Sequence, residues 1–150
     1  MLPIRLASER FGAAEVRLII EGNPYIDVSD MIRAFRRNSP VYQPSRWIPS
    51  IFSSWLRGSS YEVTEWLYNI LRSLSQEELH LFLRFVTGDS QAPVDGFSQS
   101  PLKVSVHDQR NRLPRAATCF STLYLSRYRN ENELRRRLML AITESIGLED

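Results

Sequence analysis

An α+β fold is predicted for this 150-residue chain, with helices first, then a small sheet, then a closing helix. Three observations predict it. Apolar residues recur with helical spacing through residues 60–86, behind two capping signals. Alternation of apolar and polar residues, the mark of a strand, begins only after residue 101. Helical spacing then returns over residues 131–145.

The elements follow in order. Residues 13–21 (A-A-E-V-R-L-I-I-E) predict a short helix that stops at Gly22. Asp27 or Ser29 caps a second helix to about Arg37, with Met31, Ile32 and Phe35 on one face. Pro40, Pro44 and Pro49 interrupt residues 38–58. Tyr42, Trp47, Ile48, Ile51, Phe52, Trp55 and Leu56 in that segment do not stay in water cheaply, so it is expected to pack on this chain or on another domain. Ser59 with Glu62, and Ser75 with Glu78, have the spacing of capping boxes. The first opens a helix to about Leu74 with a stripe of Trp66, Leu67, Ile70, Leu71 and Leu74. The second opens a helix whose face is Leu79, Phe82, Leu83 and Val86, ended by Gly88.

Residues 89–100 read as loop. Leu102, Val104 and Val106 alternate with polar residues and predict a strand; residues 107–117 are polar and basic; residues 121–125 predict a second strand. Asn130 and Glu133 cap a final helix that buries Leu134, Leu138, Ala141, Ile142 and Ser145.

Composition sets limits on function. With 43% hydrophobic and 24% charged residues the chain can build one globular core. The 19 basic and 17 acidic residues leave a net charge of +2, too small to drive nucleic-acid or membrane association. The runs Arg33, Arg36, Arg37 and Arg135, Arg136, Arg137 read as solvated helix faces. No apolar run approaches the ~20 residues of a membrane helix, and the start carries charges where a signal peptide is apolar. A single cysteine excludes an internal disulfide and a cysteine-rich zinc site. His80 and His107 lack metal-ligand spacing, so neither a metal nor a cofactor is expected. These features suit a reducing compartment, cytoplasmic or nuclear.

Catalytic candidates are few. The chain has no Gly-rich phosphate loop, no G-x-S-x-G elbow and no H-E-x-x-H pair. What remains is Cys119, in R-N-R-L-P-R-A-A-T-C-F between a proline-bearing loop and a strand. A lone cysteine is most often a small buried hydrophobe. Arg110, Arg112 and Arg115 favour a thiolate if they are near it in space, Thr118 supplies a hydroxyl beside the sulfur, and the loop favours exposure. His107 is a weak candidate for a base. On these residues alone, an inert cysteine in a helical interaction module and a nucleophile both stand.

Longer motifs bear on that choice. L-F-L-R-F-V-T-G-D-S-Q-A-P-V-D-G-F over residues 81–97 resembles the L-x-F-V-T-G-x-S-x-x-P-x-x-G-F segment of HECT domains. R-L-P-R-A-A-T-C-F-S-T-L-Y-L-S-R-Y over residues 112–128 is similar to their catalytic loop, and L-R-R-R-L-M-L-A-I over 134–142 to their closing helix. Fainter likeness runs upstream through residues 63–78 and through A-E-V-R-L-I-I-E-G and I-D-V-S-D.

The resemblance implies a HECT C-terminal lobe, a small sheet packed with helices, over residues 59–150. A short helical extension, the end of the N-terminal lobe plus a hinge segment, would occupy residues 1–58. The bulk of that N-terminal lobe is then absent, and the chain is expected to be a fragment or a truncated gene product. The implied activity is ubiquitin-protein transfer through a thioester on Cys119. The implied partners are ubiquitin, a ubiquitin-conjugating enzyme docked through the missing lobe, and protein substrates. The alternative is a catalytically incompetent fragment that binds ubiquitin or another partner.

The implied roles are specific. Thr118 orients the thioester, and Phe120 packs under the loop and directs the cysteine. Leu113 and Pro114 shape the loop and touch the ubiquitin tail. Asp150, with Glu149, helps deprotonate the acceptor lysine, and the tail is expected to join the sheet near residues 121–125. Four positions depart from the family pattern. Ala117 stands where many members have histidine, Arg127 replaces a proline, Ile146 replaces a phenylalanine, and residues 38–58 are longer and more aromatic.

Overall fold

The computed structural model describes residues 25–39, 59–110 and 112–148. The helix expected over residues 13–21, the aromatic segment over 40–58, and Glu149 and Asp150 lie outside the described residues.

Helix α1 is Val28–Asn38, capped by Asp27, whose carboxylate accepts from the amides of Ser29 and Asp30 at 3.1 and 3.3 Å. Helix α2 is Ser60–Ser73, capped by Ser59. Helix α3 is Gln76–Thr87 and carries the complete reciprocal box of Ser75 and Glu78 at its start. Gly88 stops it at φ 83°, a left-handed conformation that L side chains rarely adopt. Helix α4, Glu131–Leu148, begins where the sequence places it and runs three residues past the expected end at Ser145. Asn130 caps the Glu133 amide at 2.8 Å, while the Glu133 carboxylate reaches back to the Arg129 amide at 3.3 Å.

The sheet has three strands: β1 (Lys103–Arg110), β2 (Arg115–Ala117) and β3 (Thr122–Arg127). Their spatial order is β1-β3-β2, with β1 parallel and β2 antiparallel to β3. Central placement explains why Thr122, Leu123, Leu125 and Ser126 of β3 are all buried. Two features depart from the sequence reading. Strand β1 runs four residues past Val106 through exposed polar residues, with a register break before Arg110 pairs with Arg127. Strand β2, read as loop, exists by pairing with β3.

Helices α2 and α3 touch both the sheet and α4. One hydrophobic core joins all of these elements, with Leu67, Ile70, Leu71, Phe82, Leu123 and Leu138 near its centre. Each such side chain contributes roughly 1.5–3 kcal/mol by leaving water. The expected face of α4 is buried from Leu134 to Ile142, with Ser145 half-buried. Trp66 and Leu74 of the α2 stripe are also only half-buried against the core.

Helix α1 lies on the extension side of the 58/59 division, yet it shares the core of the following residues. Phe35 packs on Phe82 and Tyr68, with ring centroids 6.2 and 6.4 Å away. Gln76 brackets the Ile26 backbone with two hydrogen bonds, at 2.8 and 2.9 Å. Asp30 accepts from the Phe97 amide, Asn38 donates to the Ser100 and Leu102 carbonyls, and Ser39 accepts from the Val104 amide. These bonds hold the loop that feeds β1. Residues 25–39 thus pack in the same hydrophobic core as the residues from 59 onward.

Candidate active site

Strands β2 and β3 form a hairpin whose last pair is Ala117 with Thr122. Four residues connect that pair. Thr118–Phe120 make one 3-10 turn, and Ser121 reverses the chain at φ 47° and ψ 42°. Ser121 is the one non-glycine residue with positive φ among the described residues. A serine in this region is strained unless its surroundings hold it. Three bonds do so: the Ser121 amide donates to the Thr118 carbonyl at 3.2 Å, the Lys103 amide to the Ser121 carbonyl at 3.0 Å, and the Thr122 hydroxyl to the Phe120 carbonyl at 2.9 Å.

The turn pushes three consecutive side chains, Thr118, Cys119 and Phe120, into water. Cys119 is a free, exposed thiol, which excludes the buried structural cysteine left open by composition. Phe120 is 73% exposed, so it does not pack under the loop as the resemblance implied. The reason is geometric: after the left-handed Ser121 the chain enters β3 with Leu123 inward, and Leu123 takes the core position. Beneath the turn stands the end of α3, where a Cβ built on Gly88 would lie 3.7 Å from that of Thr118. The glycine is therefore required by its φ rather than by lack of room.

Other expected residues are dispersed. Pro114 is buried and Leu113 is 38% exposed, on the approach to β2. Arg110 pairs with Arg127 at the far end of β3, five strand steps or roughly 17 Å from Thr122. It therefore gives the thiol no close charge. His107 lies four steps along β1 from Lys103, roughly 13 Å, with its ring against Tyr124 at 5.2 Å, too far to serve as a base. Ala117 is half-buried and offers no titratable group.

Arg112 and Arg115 line a groove of about 520 Å³ with His107, Leu113 and Tyr124, and Arg115 stacks over the Tyr124 ring at 5.2 Å. The Tyr128 hydroxyl donates to the Arg112 carbonyl at 2.6 Å and ties this approach to the end of β3. Burial pushes the Tyr128 phenol above its ordinary range, against smaller downward pulls from hydrogen bonding with Ser126 and from Arg137.

A tail joining β3 at residues 122–124 is ruled out, because β1 and β2 already flank those residues. The outer strands are β1 and β2, and β2 runs directly into the turn. Sequence reading also passed over the loop after Gly88. Its Asp89, Gln91 and Phe97 line a second cavity with Ser121, of about 360 Å³. Only the D-S-Q run after a helix-ending glycine hinted at it.

Among the described residues no three metal-ligating side chains cluster, and no helix is long and apolar enough to cross a membrane. What the fold does present among the described residues is one exposed thiol, held out on a reverse turn beside the exposed Phe120. An accessible cysteine is what acyl transfer through a thioester requires. The chain matches the HECT-domain (ubiquitin-transferase) family over residues 4–149, and it belongs to that family. It is 32% identical to the E3 ubiquitin-protein ligase UPL1 of Arabidopsis thaliana over 97% of its own length. It is 34% identical to HUWE1 of Mus musculus over 96%, and 30% identical to HACE1 of Gallus gallus over 88%. The matches cover 4%, 3% and 13% of those three ligases.

Proposed function

We propose that Cys119 receives ubiquitin as a thioester from a ubiquitin-conjugating enzyme and passes it to a lysine of a protein substrate. The observation that supports this reading is an exposed Cys119 at the tip of the β2–β3 turn in a chain of the HECT family. In the first step the Cys119 thiolate attacks the thioester carbonyl and the conjugating enzyme's sulfur leaves. Sulfur replaces sulfur, so access and the anionic form govern the rate. In the second step a lysine nitrogen attacks the new thioester, an amide forms, and Cys119 is released. The lysine must shed a proton despite a free pKa of ~10.4.

Thr118 orients the thioester from the adjacent position. Phe120 offers an apolar contact to the incoming protein. Leu113 and Pro114 shape the path of the ubiquitin tail, which runs beside β2. Asp150 and Glu149 are the sequence's candidates for the proton. Residues 1–58 descend from the end of the N-terminal lobe and residues 59–150 form the cysteine lobe, with α1 packed across that division.

The test mixes the chain with a ubiquitin-charged conjugating enzyme, alone and fused behind an intact N-terminal lobe. A ubiquitin adduct that thiols cleave is expected, and Cys119→Ala should abolish it. Absence of the adduct in both formats sinks transfer and leaves ubiquitin binding without catalysis.

A further inference from the structure

The cavity beside the turn has the chemistry of one particular guest. Its walls are apolar, from Leu83, Ala92, Phe97 and the rim residue Val94, and its volume is about 360 Å³. Asp89 is the one ionisable side chain that lines it. One Asp89 carboxylate oxygen accepts from the Gln91 amide at 2.9 Å, and the other has no partner among the described residues. The Gln91 side-chain oxygen is buried with no hydrogen-bond partner among the described residues. That atom is closed off from the cavity by its own burial, so the exposed Asp89 carboxylate is the polar group left for a guest. Ser121 forms part of the wall, two residues from Cys119, and Gly88, next to Asp89, lies beneath Thr118. The cavity therefore borders the turn that carries the thiol.

We infer that this cavity is the seat of the acceptor lysine, with its aliphatic stem against the apolar wall and its ammonium on the exposed Asp89 carboxylate. The inference rests on the transfer reading and names the second substrate's site. The opposite groove cannot serve, since Arg112 and Arg115 line it and repel an ammonium. In the reaction the ammonium gives one proton to the Asp89 carboxylate and thence to water. The neutral nitrogen attacks the thioester carbonyl, the C–N bond forms as C–S breaks, and the nitrogen's second proton goes to the departing Cys119 sulfur. Asp89 is thus a catalytic residue for the second step alone.

Two measurements on the full chain test this. The chain is first loaded from a ubiquitin C-terminal alkyl thioester, which exchanges with Cys119 and needs no conjugating enzyme. Discharge is then followed with Nα-acetyl-lysine and, separately, with hydroxylamine, a small amine with no stem to seat. Asp89→Asn keeps the bond to the Gln91 amide. It should load normally, discharge to hydroxylamine normally, and lose roughly tenfold in discharge to the lysine, with its pH profile moved to higher pH. Equal lysine rates in variant and wild type overturn the inference, as does a parallel loss with both amines.

The second measurement is a nuclear magnetic resonance titration of the unloaded chain with Nα-acetyl-lysine. Shifts confined to the amides around residues 87–97, and lost in Asp89→Asn, support the site. No shifts there overturn it whatever Cys119 does. Failure of Cys119 to load overturns the transfer reading instead, and the titration then judges the cavity by itself.

Discussion

The α2–α3 corner and the β2–β3 turn are both tight reversals, and they are built on opposite terms. At the corner every local device agrees. Ser75 and Glu78 satisfy each other's backbone amides, the Leu74 amide bonds the Leu71 carbonyl at 3.2 Å, and Phe82 and Leu71 plunge into the core. At the turn a serine occupies a conformation suited to glycine, and a phenylalanine and a thiol face water. The corner holds itself, whereas the turn is held from outside by β1, β3 and the end of α3. Among the described residues Ser121 is the one non-glycine at positive φ, and local disagreement of this kind is the pattern expected of a functional site.

The largest expected contrast lies between two phenylalanines. Phe82→Ala should lower stability by about 3–5 kcal/mol, because Phe82 is fully buried against Phe35. Phe120→Ala should change it by less than about 0.5 kcal/mol, given its exposure, while slowing the loading of Cys119. Denaturant melts of the two variants check the first half, and a loss of stability in Phe120→Ala would erase the contrast. Next comes Ser121→Val. A β-branched residue at φ 47° should cost about 1–2 kcal/mol and slow thioester formation, whereas Ser121→Gly should retain both. Paired melts and loading rates separate strain from chemistry. Ser75→Ala, which opens the corner's capping box, should cost about 1 kcal/mol and leave loading unaltered.

The smallest effect is silent near neutrality. Burial pushes the Tyr68 phenol from 10.0 up to about 12, with Arg36 pulling it down and Glu65 adding to the rise. The unfolded chain gives up this proton near pH 10 and the folded chain only near pH 12. Stability is therefore whole below pH 10 and falls as pH climbs through that interval. Thermal melts between pH 9 and 12 should show a decline that Tyr68→Phe flattens.

How far the sequence could be read follows the same division. Helices α2 and α3, both serine caps and the Gly88 stop were legible because each depends on residues three or four positions apart. The exposed thiol's motif was legible through its family likeness. Strand β2 was not, since three residues of Arg-Ala-Ala carry no alternation and become a strand only beside β3. Nor was the polar end of β1, which pairing rather than burial extends. Phe120 was misjudged because hydrophobicity suggests burial, and only the left-handed Ser121 reveals which side chains the turn turns out. Asp89 and Gln91 looked like loop polarity, because their cavity is completed by α3 and by Ser121, the latter 32 positions beyond Asp89.

Strand β3 is translated last of the three and sits in the middle of them. During synthesis β1 and β2 therefore emerge with nothing to zip against, and the cysteine leaves the ribosome before the segment that shapes its surroundings. The turn that holds it out is closed by Ser121 and β3, which come after it. A product cut short at Ser121 would carry the sulfur without the strand that holds its turn in place.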